Sequence, residues 1–236
     1  MLEEALREIG IEPSEEMVSR LKRYYEMIIE RNKVMNLTAI TDEKEFCYKH
    51  FVDSLCGMER IAGEDASRPK RWIDVGTGAG FPGMVLKIAY PMTDMTLFDS
   101  LQKRLTFLDE VICELALTGV RTLHGRAEDI GHDKLHRGMY DVVTARAVAN
   151  LSTLSEYCLP LLRRGGMFVA YKSAQAEEEA ENAKKAIALL GGKVLEIKDF
   201  MLPGTDYRRA LLFIEKVKDT PAKYPRKAGT PAKEPL

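Results

Sequence analysis

The sequence predicts an α/β fold in which a mostly parallel, Rossmann-like sheet follows an N-terminal helical cap. The first observation is that short apolar runs alternate with helical stretches, which is typical of parallel strands joined by right-handed crossovers. The runs are RWIDV, DMTLFD, VRTLHG, YDVVTA, MFVAYK, KVLEIKDF and ALLFIEKV. The second observation is the short link MLPGTDYRR between the last two runs. A hairpin-like return of this kind makes the final strand antiparallel.

The composition narrows the class of protein. The 236 residues are 45% apolar and 30% charged, which suits one globular domain with an appendage better than two full domains. A net charge of −1 excludes a uniformly basic nucleic-acid binder and leaves only a local basic patch. No charged leader precedes an apolar run, no apolar stretch approaches the length of a membrane span, and the four cysteines form no CxxC pair. We expect a cytoplasmic protein with reduced thiols and no membrane partner, and we expect a monomer.

The helical cap is predicted to cover residues 1–66. Ser14 is the expected N-cap of a strongly amphipathic helix. Apolar residues recur along this helix at helical spacing: Met17, Leu21, Tyr24 and Ile28. A second helix is expected from about Asp42 to Ile61, and the segment GEDASRPKR then indicates a polar linker.

Two segments carry a local excess of positive charge. One is the outer face of the first cap helix, which includes Arg23 and Arg31, and for which a solvated face and an RNA contact both remain open. The other is the tail, residues 219–236, which follows a central domain of residues 67–218. Its prolines predict no regular element, and its composition is typical of disorder, although a docked or substrate-ordered tail is the alternative. The tail's candidate RNA contacts are Lys223, Arg226 and Lys227.

The chemistry begins where the run RWIDV meets a helix. Glycines follow it at positions 76, 78, 80 and 83, where they let the backbone turn tightly and approach a ligand. Gly78, Gly80 and Gly83 also satisfy the dinucleotide fingerprint G-x-G-x-x-G, so the glycines alone allow both NAD and S-adenosylmethionine (SAM). Asp74, two residues before Gly76, favours SAM, because its carboxylate can meet the cofactor's cationic amino end directly or through water.

Polar residues also stand at the ends of the next three predicted strands, and ligands of open α/β sheets bind at that edge. Asp99 can accept hydrogen bonds from both hydroxyls of a ribose, and it can also cap the helix that follows, a role compatible with ligand binding. The loop GRAED offers a backbone amide and the carboxylate of Glu128 or Asp129 to an adenine edge. Arg146 ends the fourth strand, where we favour a substrate or cofactor role over a loop salt bridge.

Taken together, these motifs resemble the RsmG (GidB) family of bacterial guanine-N7 methyltransferases that act on small-subunit ribosomal RNA. The resemblance runs through nearly the whole chain. Its segments are NLTAI (36–40), HFVDSL (50–55), DVGTGAGFPG (74–83), DSLQKRLTFL (99–108), RAED (126–129), TARAVANL (144–151) and YPRKAGTPAKEPL (224–236). The glycine loop is common to many methyltransferases, whereas its combination with NLTAI, HFVDSL and YPRKAGTP is specific. The resemblance implies a class I SAM-dependent methyltransferase fold.

The resemblance also implies the site residues and the reaction. The residues expected to contact SAM are Gly76, Phe81, Ala127, Glu128 and Arg146, with Asp99 as the ribose ligand. The implied reaction moves the methyl group of SAM to N7 of one guanine in 16S ribosomal RNA, free or within the small subunit or an assembly intermediate, and leaves S-adenosylhomocysteine. N7 has a lone pair and no proton, so we expect no general base, no covalent nucleophile and no metal. Weaker candidates for the RNA side of the pocket are Asn36, His50, Asp53 and Lys172.

Two other classes of protein share parts of this pattern. An NAD-dependent oxidoreductase would share the glycine loop and Asp99, but it needs a catalytic acid or base for which the sequence offers no candidate. A non-catalytic ribosome-assembly factor would not need the glycines together with Asp99. His132 and His136 have the spacing of helical metal ligands, but no cysteine or third histidine is near, which favours a solvated loop.

Overall fold

The computed structural model describes residues 1–58, 61, 70–146, 149–173 and 175–236. Its strands are β1 (Arg71–Val75), β2 (Asp94–Asp99), β3 (Val120–His124), β4 (Tyr140–Arg146), β5 (Leu162–Lys172), β6 (Gly192–Met201) and β7 (Arg208–Lys216). They form one sheet in the order β3-β2-β1-β4-β5-β7-β6. Strands β1 to β5 are parallel, and β7 runs antiparallel to both β5 and β6. The predicted sheet and its antiparallel last strand are confirmed.

Helices cover both faces of this sheet. In the described part of the chain they are α1 (Leu2–Glu8), α2 (Glu15–Asn32), α3 (Glu43–Phe46), α4 (Asp53–Leu55), α5 (Gly83–Ala89), α6 (Gln102–Glu114), α7 (Ala127–Ile130), α8 (Leu151–Cys158), α9 (Ala176–Leu189) and α10 (Thr230–Lys233). Ser14 caps α2 as predicted, because its side chain accepts the N–H of Met17 at 3.1 Å. None of these helices is long and apolar enough to cross a bilayer.

The second cap helix differs from its prediction. Asp42 caps α3, but after Phe46 the backbone widens into a π-helical turn over Cys47–Val52, and α4 ends at Leu55. Such turns are frequent at functional sites, and this one holds His50 beside the Arg146 guanidinium. Most of the predicted linker, and the predicted boundary at residue 66, lie outside the described residues.

Two apolar clusters fill the space on either side of the sheet. The first is shared by the cap and the sheet and includes Leu21, Phe51 and Leu97. The second includes Leu154 of α8 and Ile187 of α9. Because the cap helices contribute to the first cluster, they pack as a layer on the sheet and are held by the same burial of apolar surface.

The tail is docked rather than loose. Arg137 donates a hydrogen bond to the carbonyl of Tyr224 at 2.8 Å, and the Tyr224 side chain is buried. The prediction that the tail forms no regular element is wrong, because α10 lies within it. Gly229, with φ of 82°, allows the turn into this helix, and Pro231 sits in its first turn, where a missing N–H breaks no helical hydrogen bond.

Candidate active site

A cavity of about 810 Å³ lies at the carboxyl edge of the parallel strands. We call it the first cavity. Its walls come from the segments that follow β1, β2, β3 and β4, and from the tail. The lining includes Gly76, Asp99, Glu128, Arg146 and Gly229. Ligand pockets typically span roughly 300–1,000 Å³, so the first cavity can hold a nucleoside-sized ligand. The sequence predicted that Gly76, Asp99, Glu128 and Arg146 would lie at one edge of the sheet, but it gave no signal for Gly229.

The loop after β1 turns over three glycines in the left-handed region: Gly76 at φ 73°, Gly78 at φ 60° and Gly80 at φ 102°. A Cβ on Gly80 would lie 2.9 Å from the Cβ of Met84 and would also collide with the hydroxyl of Tyr24. A Cβ on Gly78 would meet no atom closer than 3.9 Å. Gly80 therefore allows the cap to pack on the loop, whereas Gly78 leaves open space beside it.

Asp74 is fully buried beneath this loop. Its Oδ2 accepts the N–H of Gly83 at 3.0 Å, and its Oδ1 accepts the hydroxyl of Thr144 at 2.8 Å. Burial raises the pKa of Asp74, and these hydrogen bonds oppose the rise. A Cβ on Gly83 would lie 2.8 Å from Asp74 Oδ2, so only glycine fits there. The carboxylate fixes the loop, and its contact with the amino end of SAM stays a prediction.

Asp99, buried at the end of β2, links two loops. Its Oδ2 accepts the N–H of Gly78 at 2.9 Å, and its Oδ1 accepts the N–H of Leu101 at 2.8 Å. Leu101 is the N-cap residue of α6, so the expected cap role of Asp99 is wrong. Arg104 Nη1 also lies 3.5 Å from Asp99 Oδ2. A carboxylate has about four acceptor sites, so one stays open for a ribose hydroxyl beside these three partners.

The loop after β3 supplies the opposite wall of the first cavity. Glu128 is nearly buried, and its Oε1 accepts the N–H of Gly229 at 2.8 Å. Ala127 and Asp129 also line the cavity, and Tyr157 of α8 completes this side. Of the two carboxylates that the sequence left open, Glu128 is therefore the one held in place by a second segment.

A second cavity, of about 520 Å³, shares Arg146 with the first. We call it the second cavity. Its lining includes three of the weaker candidates, His50, Asp53 and Lys172, and Arg209 of β7. Asn36 does not join them, because it lies exposed on the loop after α2. The sequence gave no signal for Asn32, whose Oδ1 accepts the N–H groups of the two residues that follow Asn36, at 2.7 and 3.0 Å.

Hydrogen bonds to two cap residues hold Arg146 between the cavities. Nη1 donates to Asp53 Oδ2 at 3.0 Å, and Nη2 lies 3.2 Å from His50 Nδ1. A guanidinium has no acceptor, so His50 Nδ1 is the acceptor and the ring proton is on Nε2, 3.0 Å from the Thr38 hydroxyl. Burial, followed by the charges of Arg146 and Lys49, lowers the pKa of His50 to about 3. The imidazole is therefore neutral at physiological pH.

Phe81 belongs to this network rather than to the lining of the first cavity. Its ring stacks on His50, with centroids 4.4 Å apart and planes 9° from parallel. The Arg146 Cζ lies 5.1 Å from the Phe81 centroid, within the range of a cation–π contact. The side chain thus supports Arg146 from the glycine loop, and a contact of Phe81 with SAM stays a prediction.

His50 gives the protein a pH-dependent part of its stability. Its folded pKa of about 3 lies below the ordinary 6.5, so between these values the unfolded chain binds a proton that the folded chain does not. Above pH 6.5 neither state binds this proton and the full stability is present. As the pH falls below 6.5, the unfolded chain takes up the proton and the free energy of unfolding decreases. Between pH 7 and pH 5 we expect the wild type to lose about 2 kcal/mol more than His50→Gln. Urea denaturation of both proteins measures this difference, and equal losses would contradict a ring that stays neutral in the folded protein.

Three of the five candidate RNA-binding cations form ion pairs with carboxylates of the protein. The pairs are Arg23 with Glu114, Arg31 with Glu110, and Arg226 with Glu156. The first two pairs join α2 to α6 and hold the cap on the sheet. The third joins the tail to α8. Lys223 and Lys227 are exposed, and neither forms an ion pair with a carboxylate of the described residues.

The two histidines singled out for their spacing serve other contacts. His132 Nε2 lies 2.7 Å from the carbonyl of Pro225, and His136 Nδ1 lies 2.8 Å from the Tyr140 hydroxyl. Among the residues that the structure describes, no group of three or more His, Cys, Asp or Glu side chains could hold a metal ion.

Comparison with known proteins adds independent information. The family model described as GidB, rRNA small subunit methyltransferase G, matches residues 17–210. A protein of Exiguobacterium sp. named ribosomal RNA small subunit methyltransferase G is 52% identical over 233 residues, which are 99% of this chain and 97% of that protein. The protein of the same name from Listeria monocytogenes serovar 1/2a is 50% identical over 98% of this chain and 96% of its own length.

Solved structures share the fold at much lower identity. A mutant of MtNAS in complex with S-adenosylmethionine has a TM-score of 0.57 and 14% identity, covering 85% of this chain and 73% of that one. TYW2 of M. jannaschii in complex with AdoMet has a TM-score of 0.53 and 13% identity, covering 70% and 77%. These likenesses show the class I methyltransferase fold alone, whereas relatives about half identical along nearly their whole length show the family. This chain therefore belongs to the GidB family, the ribosomal RNA small subunit methyltransferases G.

Proposed function

We propose that this chain transfers a methyl group from SAM to N7 of one guanine in 16S ribosomal RNA, with SAM in the first cavity and the guanine in the second. One observation carries this assignment of the cavities, namely that Arg146 lines both of them. The reacting atoms must come within about 3–3.5 Å of each other, which only adjoining cavities allow.

The first cavity suits SAM by its own chemistry. Asp99 keeps an acceptor site for a ribose hydroxyl beside its two backbone N–H groups and the long contact with Arg104. Gly76 presents backbone without a side chain at the floor of the cavity. Glu128 adds a carboxylate whose position is fixed by Gly229. When bound, SAM supplies a methyl group on a positively charged sulfur.

The reaction needs no proton acceptor in the second cavity. The N7 lone pair forms the new bond to carbon as the carbon–sulfur bond breaks, and no proton moves. His50 is neutral, and both ring nitrogens already have partners, so it positions Arg146. Correct placement of the two reactants can supply about 7–11 kcal/mol of the barrier.

The Asp53 carboxylate offsets part of the positive charge around Arg146, where the product becomes positive. A methylated N7 leaves the purine with a positive charge, so an unpaired cation beside the ring would oppose the reaction. Asp53 accepts from Arg146 on one oxygen and from Arg209 Nε on the other, at 3.0 Å in both cases. We infer that Arg146 addresses the cofactor, a phosphate or the O6 edge of the guanine.

The partner is ribosomal RNA of the small subunit, and we infer that the enzyme acts on it as a monomer. Lys223 and Lys227 of the tail are our proposed phosphate contacts, since both are exposed. Assays with naked 16S RNA, with 30S subunits and with an assembly intermediate would rank the three substrates.

The experiment that tests the function maps N7-methylguanine in 16S RNA. We expect cells that lack this protein to lose one N7-methylguanine, and we expect the purified protein to restore it from labelled SAM. An unchanged modification map, together with no transfer of label to any of the three substrates, would refute the proposal.

A further inference from the structure

The tail contributes directly to the first cavity. Gly229 lies in its lining, and its backbone N–H donates to Oε1 of Glu128, another lining residue. Glu128 is 8% exposed, so its carboxylate depends on protein donors rather than on water. The tail therefore holds one carboxylate oxygen of Glu128, a predicted cofactor-binding residue that lies about 100 residues earlier in the chain.

Anchors lie on both sides of Gly229. On the near side, the carboxylate of fully buried Glu156 accepts from Arg226 through the backbone N–H at 2.6 Å, Nε at 3.0 Å and Nη2 at 2.7 Å. On the far side, the Thr153 hydroxyl donates to the carbonyl of Pro231 at 2.7 Å. Both partners belong to α8, which also places Tyr157 in the cavity wall. The tail and α8 thus form one wall of the first cavity.

We propose that residues 227–236 are part of the cofactor site, so that docking of this segment and binding of SAM stabilise each other. The inference rests on the proposed placement of SAM in the first cavity. Its physical basis is that the Gly229 N–H keeps the Glu128 carboxylate in position before the ligand arrives, which lowers the entropy lost on binding. Coupling between two binding events is reciprocal, so it can be measured from either side.

The first test is a chain that ends at Arg226. It keeps the ion pair with Glu156 and loses Gly229 and α10. Calorimetry with SAM alone should show binding weakened roughly tenfold or more, because the charged Glu128 carboxylate loses the hydrogen bond that the Gly229 N–H donates to it. Thr153→Val keeps the whole segment, removes only the anchor at Pro231, and should weaken binding in the same direction by a smaller factor.

Arg164→Ala is the matched control. Arg164 forms the tail's exposed ion pair with Asp219, outside the lining of the first cavity, so the variant should bind SAM as the wild type does. If the wild type fails to bind SAM, the placement of the cofactor is wrong. If the wild type binds SAM and the truncated chain and Thr153→Val bind it equally well, the placement stands and the role of the tail is refuted.

The reciprocal test uses trypsin on the full chain. Lys227 and Lys233 are exposed cleavage sites on either side of Gly229. Saturating SAM should slow cleavage at both sites several-fold, whereas cleavage in the cap helix α2 should change less. Cleavage of the tail at the same rate with and without SAM would overturn the coupling.

Discussion

Replacing Arg226 by alanine is expected to destabilise the ligand-free protein by about 3–5 kcal/mol. Glu156 is fully buried, and the Arg226 side chain supplies its neutralising charge. Without that side chain the carboxylate keeps the N–H of residue 226 and loses its counter-charge. Breaking a buried ion pair from one side costs far more than the intact pair contributes, because an uncompensated charge stays in the interior. Urea denaturation at pH 7 measures the loss.

Two variants decide whether this loss comes from the buried charge. Arg164→Ala breaks the tail's exposed ion pair with Asp219, in which the side chains are 67% and 73% exposed, and should change stability little. Glu156→Leu combined with Arg226→Leu removes both charges and should recover much of the stability lost in Arg226→Ala. A loss in Arg226→Ala no larger than that in Arg164→Ala would show that this pair does not anchor the tail.

The sheet could be predicted because its signals are local. Each strand is a short apolar run bounded by turn residues, and parallel connections have one handedness, so the order of motifs along the chain determines which loops share an edge. That reasoning brought Gly76, Asp99, Glu128 and Arg146 to one cavity without knowledge of any contact. The glycines were equally informative, because the backbone at Gly80 and Gly83 leaves no room for a Cβ.

The sequence could not show interactions between residues that lie far apart along the chain. Composition describes Arg226 as one of several tail cations, and only its buried partner 70 residues earlier, Glu156, makes it an anchor. Arg23 and Arg31 were ambiguous for the same reason, since their partners lie on α6. Prolines indicate where a hydrogen bond is missing, but they do not show whether another segment, here through Arg137, binds the carbonyl groups of the tail.

The π-helical turn could not be predicted from the sequence either. A helical pattern from Asp42 onward gives the same expectation for an α-turn and a π-turn, because one extra residue hardly changes the apolar spacing. The π-turn accompanies a contact that the local pattern does not show, because His50 meets Arg146 at the end of β4, nearly 100 residues away. The sequence indicated these two residues as site candidates, and the structure adds that they form one network with Phe81.

That network leads to the largest expected loss of activity. Arg146→Lys keeps a positive charge but removes the planar fork that binds Asp53 with one nitrogen and His50 with the other. A lysine ammonium has its donors on one nitrogen of a flexible stem, so the cation loses its fixed place between the first and second cavities. Because misplacement of about 1 Å can lower a rate about 10²-fold, we expect kcat/KM for RNA methylation to fall by about that factor.

The split between kinetic constants shows whether Arg146 acts by positioning. We expect most of the loss in kcat and little change in the Kd for SAM, because Asp99 and Glu128 remain in place. Arg121→Lys is the control. Arg121 of β3 pairs at the surface with Asp94 of β2, and both lie outside the two cavities, so this variant should keep full activity. A variant Arg146→Lys with wild-type kcat would contradict the role of the guanidinium fork. A loss confined to SAM binding would instead place Arg146 wholly in the cofactor site, and Arg146 would then have no part in holding the guanine against the methyl group.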